Sequence, residues 1–347
     1  MKKITKFIAA AASVAVCAAS FGIFGRQAAV SAAEEDDPAA LIQNYAERVV
    51  NGEFDDVYNE SFSVQLHLNP QDKYVEALKE IYGDISELQY KKKTEDAETK
   101  TYALYDQGVH ISDLLMRKQA DGTWACATVF PEQKDYIIEV PAGLTVTANG
   151  TELGEHYRIE ASVPASNYKG MSDTSTAPLV DRYRVAALLD IPNISSASGE
   201  LTVMKDVTGN TLYVGVDSTD NKELKDLIIQ YAVTCAKFPA KEGGVGNVAS
   251  ISVTNSEWYS RVSGVQNNWF TNHSTSRFSN EDVLKIVRQG ENGVIANVVF
   301  DYYATNGDVE RTWYCGYQMT LINQNGLWKI AGMGIDSTMN PNSDKIK

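Results

Sequence analysis

The pattern of apolar and polar residues predicts helices at the start of the chain. Leu41, Tyr45 and Val49 are spaced four residues apart, which is the stripe of an amphipathic helix. Asp37-Pro38 marks the beginning of this helix, and Asn51-Gly52 marks its end. A short second helix is predicted around Phe54, Val57 and Tyr58. A third helix is predicted to open at Asn69-Pro70 and to stop at Gly83.

After Gly83 the apolar residues alternate with polar ones, which predicts strands. Short polar turns separate these segments, so we expect neighbouring strands to pair antiparallel. The predicted strands are Ser86–Lys93, Thr99–Gln107, Val109–Lys118 and Thr123–Phe130.

The last third of the chain repeats the order of helices followed by strands. A helix is predicted from Asp220-Asn221 through Cys235, and further helical segments are predicted at Ser256–Gln266 and Asn280–Val287. The strands predicted after them are Gly293–Tyr303, Val309–Asn323 and Leu327–Ser337.

Each series of strands closes with a Gly-x-Trp sequence, at Gly122-Thr123-Trp124 and at Gly326-Leu327-Trp328. A repeated plan of this kind indicates duplicated domains. The region between the copies, Tyr136–Val216, has no long helical pattern and is predicted to be a small β module. Its Ser/Thr/Pro-rich interior, Val163–Pro178, is predicted to be an exposed loop.

The N-terminus has the pattern of a secretory signal peptide. Three lysines precede an alanine-rich apolar stretch, and Val30-Ser31-Ala32-Ala33 has the small residues of a cleavage site. An uncleaved membrane anchor is the competing interpretation, because about 18 apolar residues can span a bilayer. Cleavage is favoured since alanine and glycine contribute little to transfer into lipid. We therefore predict an extracytoplasmic protein, either secreted or associated with the cell envelope.

About 314 residues remain after removal of the signal peptide, which is more than one hydrophobic core usually serves and therefore predicts several domains. The complete domain prediction has five parts. The parts are a signal peptide (1–33), a first domain (34–133), a β linker module (134–218), a second domain (219–338) and a flexible tail (339–347).

Charge excludes one class of partner. The chain has 31 basic and 45 acidic residues, and removal of residues 1–33 takes away four bases and no acid, leaving a net charge of −18. Such a charge repels phosphate backbones and anionic lipid surfaces. We therefore expect no nucleic-acid partner, and membrane contact only through an uncleaved N-terminal segment.

No metal or cofactor site is predicted. The four histidines are scattered, and the cysteines lack Cys-x-x-Cys spacing. No segment has the spacing of calcium-binding oxygens. A disulfide between Cys235 and Cys315 stays open as an alternative, while small buried hydrophobic residues are the favoured interpretation of Cys126, Cys235 and Cys315.

Helices followed by long antiparallel strands ending in Gly-x-Trp resemble the nuclear-transport-factor-2-like fold, an α+β cone of the cystatin-like group. The first copy, from Tyr45-Ala46 to Phe130-Pro131, resembles the N-terminal domain of methicillin-resistance-type penicillin-binding proteins. The module resembles linkers in exported proteins of Gram-positive bacteria. The resemblance implies an α+β chain of two cones, with helices packed on curved antiparallel sheets and a small β module between them.

A cavity of such a cone would be lined by side chains of its long strands. The candidate ligand-binding residues of the second copy are Phe300, Asp301, Tyr302, Trp313 and Tyr317. The alternative is that this aromatic set fills the cone as ordinary core.

Three functions follow from these observations. The leading one is a non-enzymatic binding or scaffold protein of the bacterial envelope, with an unknown protein, peptide or cell-wall ligand and no catalytic residues or cofactor. The second is a small-molecule isomerase, hydratase or lyase using Asp301. The third, an accessory factor of cell-wall synthesis, rests on the resemblance alone.

Overall fold

The computed structural model describes residues 22–24, 38–61, 68–197, 199–265 and 272–345. It divides into two compact units: Met1–Leu66 with Gln71–Pro131, and His67–Pro70 with Glu132–Lys347. The predicted signal segment lies outside the described residues except for Gly22–Phe24, which forms a short strand.

The first unit packs three helices on an antiparallel sheet. The helices are α1 (Pro38–Asn51), α2 (Phe54–Glu60) and α3 (Gln71–Tyr82). The predicted stripe of α1 is confirmed in part, because Tyr45 and Val49 are buried while Leu41 is only half-buried. The strands, in sheet order, are β1 (Gly22–Phe24), β2 (Leu88–Glu95), β3 (Thr99–Asp106), β4 (Val109–Lys118) and β5 (Trp124–Val129).

Two tyrosine hydroxyls form a buried hydrogen-bond network in the first unit. The Tyr45 hydroxyl donates to that of Tyr82 at 3.1 Å and lies 2.6 Å from Thr128 Oγ1. The Tyr82 hydroxyl also lies 2.5 Å from Ser112 Oγ. The void beside Tyr45 has a volume of about 10 Å³, which is at the lower limit for one water molecule.

The second unit contains a nine-stranded sheet. Eight strands follow the order β17-β16-β15-β14-β13-β6-β10-β9, and β12 pairs with β13. A separate small sheet is formed by β7 (Thr147–Ala148), β8 (Thr151–Glu152) and β11 (Ile194–Ser195). The strands of the large sheet are β6 (Lys134–Pro141), β9 (Arg158–Pro164), β10 (Leu179–Leu188), β12 (Thr202–Lys205), β13 (Thr211–Asp217), β14 (Thr275–Gln289), β15 (Gly293–Asn306), β16 (Val309–Gln324) and β17 (Leu327–Ile335).

Strand β13 joins the β module to the second cone. It pairs parallel with β6 through Leu212 and Ile138, and antiparallel with β14 through Val216 and Arg288. The sheet is therefore continuous from the module into the cone. The two regions still keep separate apolar clusters, one around Ile138 and one around Phe300.

Three helices close one side of the second cone. They are α4 (Lys222–Lys237), α5 (Val245–Ser250) and α6 (Glu257–Ser263). The side chains of Asn221 and Ser256 cap α4 and α6 by accepting from backbone N–H groups. Helices α4 and α6 match the prediction, while α5 was not predicted. The α+β class, with helices packed on curved antiparallel strands, is confirmed.

The predicted helix at Asn280–Val287 is wrong, because this segment lies within strand β14. Asn280 has a φ of 55°, and the pairing with β15 shifts register there and again between Val283 and Lys285. A β-bulge changes which face later residues occupy. Val283 and Ile286 therefore reach the same core cluster despite being three residues apart, which imitates helical spacing.

The prediction of an exposed loop at Val163–Pro178 is also wrong. Ala165, Tyr168 and Met171 are buried in one cluster with Ile322 of the cone. The Tyr168 hydroxyl donates to the Leu321 carbonyl oxygen at 2.9 Å. The polar composition of this segment concealed a few apolar side chains that anchor it.

Candidate functional site

A large, half-open apolar cavity lies in the second unit. Its volume is about 750 Å³, within the range of roughly 300–1,000 Å³ for small-molecule sites. The end of α4, helix α6 and strands β16 and β17 supply its walls. The lining residues are Cys235, Phe238, Pro239, Trp258, Val262, Val265, Glu310, Arg311, Thr312, Trp313, Tyr314, Cys315, Tyr317, Met333, Ile335 and Ser337.

Strand β16 forms the aromatic wall of the cavity. Because side chains alternate along a strand, Arg311, Trp313, Cys315 and Tyr317 point to the same face. Trp313, Cys315 and Tyr317 belong to or pack against the cone cluster, which establishes that this face is the inner one. Burial raises the pKa of Tyr317, and the neighbouring thiols raise it further, so its hydroxyl stays neutral.

The five residues predicted as a ligand site fall in three places. Trp313 and Tyr317 line the cavity. Phe300 and Tyr302 are almost fully buried beside it, with their rings 5.2 Å from Tyr317 and 5.5 Å from Trp313, respectively. Asp301 does not line the cavity. Alternation along β15 turns its side chain to the opposite face from Phe300 and Tyr302.

Asp301 accepts hydrogen bonds from three asparagine amides. Asn280 and Asn342 donate to Oδ2 at 2.7 and 3.0 Å, and Asn340 donates to Oδ1 at 3.0 Å. Asn340 is 1% exposed and also donates to the carbonyl oxygens of Phe300 and Cys315. The carboxylate thus connects the bulge of β14 to residues after β17, where a flexible tail was expected.

A cluster of titratable side chains surrounds Tyr302. Its hydroxyl donates to Glu242 Oε1 at 2.5 Å, and His273 Nε2 lies 3.3 Å from the same oxygen. Burial, followed by the hydrogen bond to Glu242, raises the pKa of Tyr302. The scattered histidines gave no sign of this cluster, because Glu242 and His273 are 31 residues apart and only the folded chain brings them together.

The three described cysteines are free thiols. The predicted alternative of a Cys235–Cys315 disulfide is therefore wrong, although both residues line the cavity. Burial raises the pKa of each thiol to about 12, so these sulfurs are protonated and act as small apolar side chains at neutral pH.

Among the described residues, no group of three or more His, Cys, Asp or Glu side chains is arranged to hold a metal ion. No helix in the described part of the chain is long and apolar enough to cross a membrane.

The aromatic residues of β16 were predictable from the sequence, whereas the other walls of the cavity were not. Trp258 belongs to a predicted helix, where it is typical of an ordinary apolar stripe, and Phe238 lies just beyond the helix predicted through Cys235. Whether such a stripe touches a neighbour or leaves space depends on how the helices pack on the sheet. That Trp258 and Trp313 line the same cavity was therefore not visible in the sequence.

No family model matches the chain, and no curated protein matches it. Among solved structures, an Ntf2-like protein involved in plasmid conjugation aligns with 86% of this chain and 97% of its own length. The two sequences are 8% identical, and the TM-score is 0.24.

Proposed function

We propose that this protein is a non-enzymatic binding protein whose second cone takes up an apolar small molecule. The observation that carries this proposal is the cavity of about 750 Å³ lined by Phe238, Trp258, Trp313 and Tyr317. Large aromatic side chains that surround empty space instead of packing together favour an apolar ligand. The absence of Asp301 from the lining supports binding over general-base catalysis.

The proposal is tested by titration with N-phenyl-1-naphthylamine, a neutral probe that fluoresces in apolar surroundings. We expect saturable binding at one site. The substitution Val262→Trp should fill part of the cavity and weaken binding by about tenfold or more, equal to ~1.4 kcal/mol. Val309→Trp is the matched control, since Val309 is 62% exposed and does not line the cavity.

The absence of a fluorescence increase when the probe is added to the wild-type protein would contradict the proposal. Equal binding by wild type and Val262→Trp would place the probe elsewhere and would also contradict it. Circular dichroism of both variants checks that the fold is retained.

One observation favours an enzyme as the second candidate. Tyr302, Glu242 and His273 form a cluster of proton donors and acceptors, and Trp313, whose ring is 5.5 Å from Tyr302, also lines the cavity. An isomerase, hydratase or lyase would then use this cluster in place of Asp301. Turnover that is lost in Glu242→Gln and kept in Asp301→Asn would support this candidate over the binding protein.

The location and the tandem arrangement are part of the proposal. The basic and apolar N-terminal pattern supports export to the envelope. Helices followed by an antiparallel sheet in both units support two cones. N-terminal sequencing of the exported protein tests cleavage near Ala33, which would remove β1. The resemblance of the first copy supports an accessory role in wall synthesis, which a pull-down from envelope extracts would test.

A further inference from the structure

The rim of the cavity carries a cation on the inner face of the cone. Arg311 precedes Trp313 on the same face of β16, and its guanidinium carbon lies 5.3 Å from the centre of the Trp313 ring. Such a cation–π contact holds the guanidinium against the aromatic wall. Arg311 itself is exposed, so its charge stands where the cavity meets solvent.

Arg311 has no carboxylate within 4 Å among the described residues. Some other arginines of the second unit do have such partners: Arg182 bonds to Glu139 at 2.7 Å and Arg184 to Asp135 at 3.1 Å. The ring contact occupies a face of the guanidinium and leaves its in-plane N–H donors for another acceptor.

The neighbouring acid does not neutralise this cation. Glu310 is the one carboxylate among the residues lining the cavity, and alternation turns its side chain to the outer face of β16. There Glu310 interacts with Tyr303, whose pKa is raised by burial and by the hydrogen bond with Glu310. Arg311 is the one cation among the lining residues.

We propose that the ligand is an amphipathic anion, with an apolar body in the cavity and a carboxylate or sulfonate head on Arg311. This inference rests on the proposed binding function. Planar oxyanions match the fork of guanidinium donors, and the apolar walls offer the head group no other cation. The negative charge of the whole protein acts against anions at long range, but salt screens it beyond about 8 Å at physiological ionic strength.

The test compares two probes with the same aromatic body. N-phenyl-1-naphthylamine is neutral, and 8-anilinonaphthalene-1-sulfonate carries a sulfonate. Arg311→Gln should weaken sulfonate-probe binding by about tenfold and leave neutral-probe binding unchanged. Added salt should weaken sulfonate-probe binding to wild type more than to Arg311→Gln.

Arg277→Gln is the matched control. The Arg277 guanidinium lies 4.7 Å from the Tyr303 ring, the same kind of contact, but Arg277 does not line the cavity. This variant should bind both probes as wild type does.

The outcomes separate the two proposals. If neither probe binds in the cavity, the binding function itself fails. If the neutral probe binds while Arg311→Gln weakens the binding of both probes equally, or of neither probe, the proposed ligand class is wrong. In that case the proposed binding function of the cavity stands.

Discussion

The surroundings of Asp301 in the folded protein indicate a structural role for this residue. Asp301 stands in a strongly apolar strand, which made it a candidate general base. In the folded protein both of its oxygens accept from asparagine amides, and its side chain lies on the face away from the cavity. Its geometry is that of a carboxylate linking three chain segments.

The tyrosine network of the first unit predicts a change of stability with pH. Burial raises the pKa of Tyr82 to about 12, against an ordinary value of 10.0. Above pH 10 the unfolded chain loses this proton while the folded chain keeps it, so stability falls between about pH 10 and 12. Below pH 10, Tyr82→Phe should lower the free energy of unfolding by about 1–3 kcal/mol, because Ser112 loses its buried partner.

Urea unfolding of wild type and Tyr82→Phe from pH 8 to 11 measures both effects. The difference in unfolding free energy between the two proteins should become smaller as the pH rises above 10. Tyr105→Phe, in a half-buried position of β3, controls for loss of a tyrosine hydroxyl from this unit. A difference in unfolding free energy that stays constant or increases up to pH 11 would contradict the raised pKa of Tyr82.

At the scale of elements, regular segments were predictable and irregular ones were not. The apolar stripes of α1 and α4 and the alternation of β16 follow from local periodicity. Strand β14 was misread because its bulges bring Val283 and Ile286 to one face. Because β16 alternates regularly, Trp313 and Tyr317 could be predicted from the sequence. The opposite wall, which Trp258 helps to form, depends on packing between distant elements.

The close approach between β16 and the turn after β17 predicts a strict requirement for glycine. A Cβ atom added at Gly316 would lie 2.2 Å from the Asp336 carbonyl oxygen, and Asp336 N–H donates to the Gly316 carbonyl at 2.9 Å. Gly316→Ala must displace this turn, which carries the lining residue Ser337. We expect a loss of about 1–3 kcal/mol in unfolding free energy.

Thermal unfolding measures this loss. Gly246→Ala is the control, because no atom lies within 4 Å of a Cβ added in this position of α5. The control should unfold at or slightly above the wild-type temperature, since alanine favours helix. Equal melting temperatures for Gly316→Ala and wild type would show that the close contact between Gly316 and Asp336 does not require glycine.

At the scale of the whole molecule, two units built from helices on antiparallel strands have different interiors. The first unit contains a buried network of hydrogen-bonded tyrosines, and the void beside Tyr45 measures about 10 Å³. The second unit has a half-open cavity of about 750 Å³ with aromatic walls. The described residues around Tyr45 thus pack closely in the first unit, whereas the second unit has the cavity that we propose binds a ligand.

Methyl NMR of protein labelled at methionine locates the ligand most directly. Met333 lines the cavity, whereas Met116 is fully buried in the first unit. Substitution of each by leucine assigns its signal. On addition of N-phenyl-1-naphthylamine, the Met333 methyl should shift and show nuclear Overhauser contacts with the probe, while Met116 stays unchanged. An unperturbed Met333 signal in the presence of bound probe would contradict the central claim that the second cone holds the ligand.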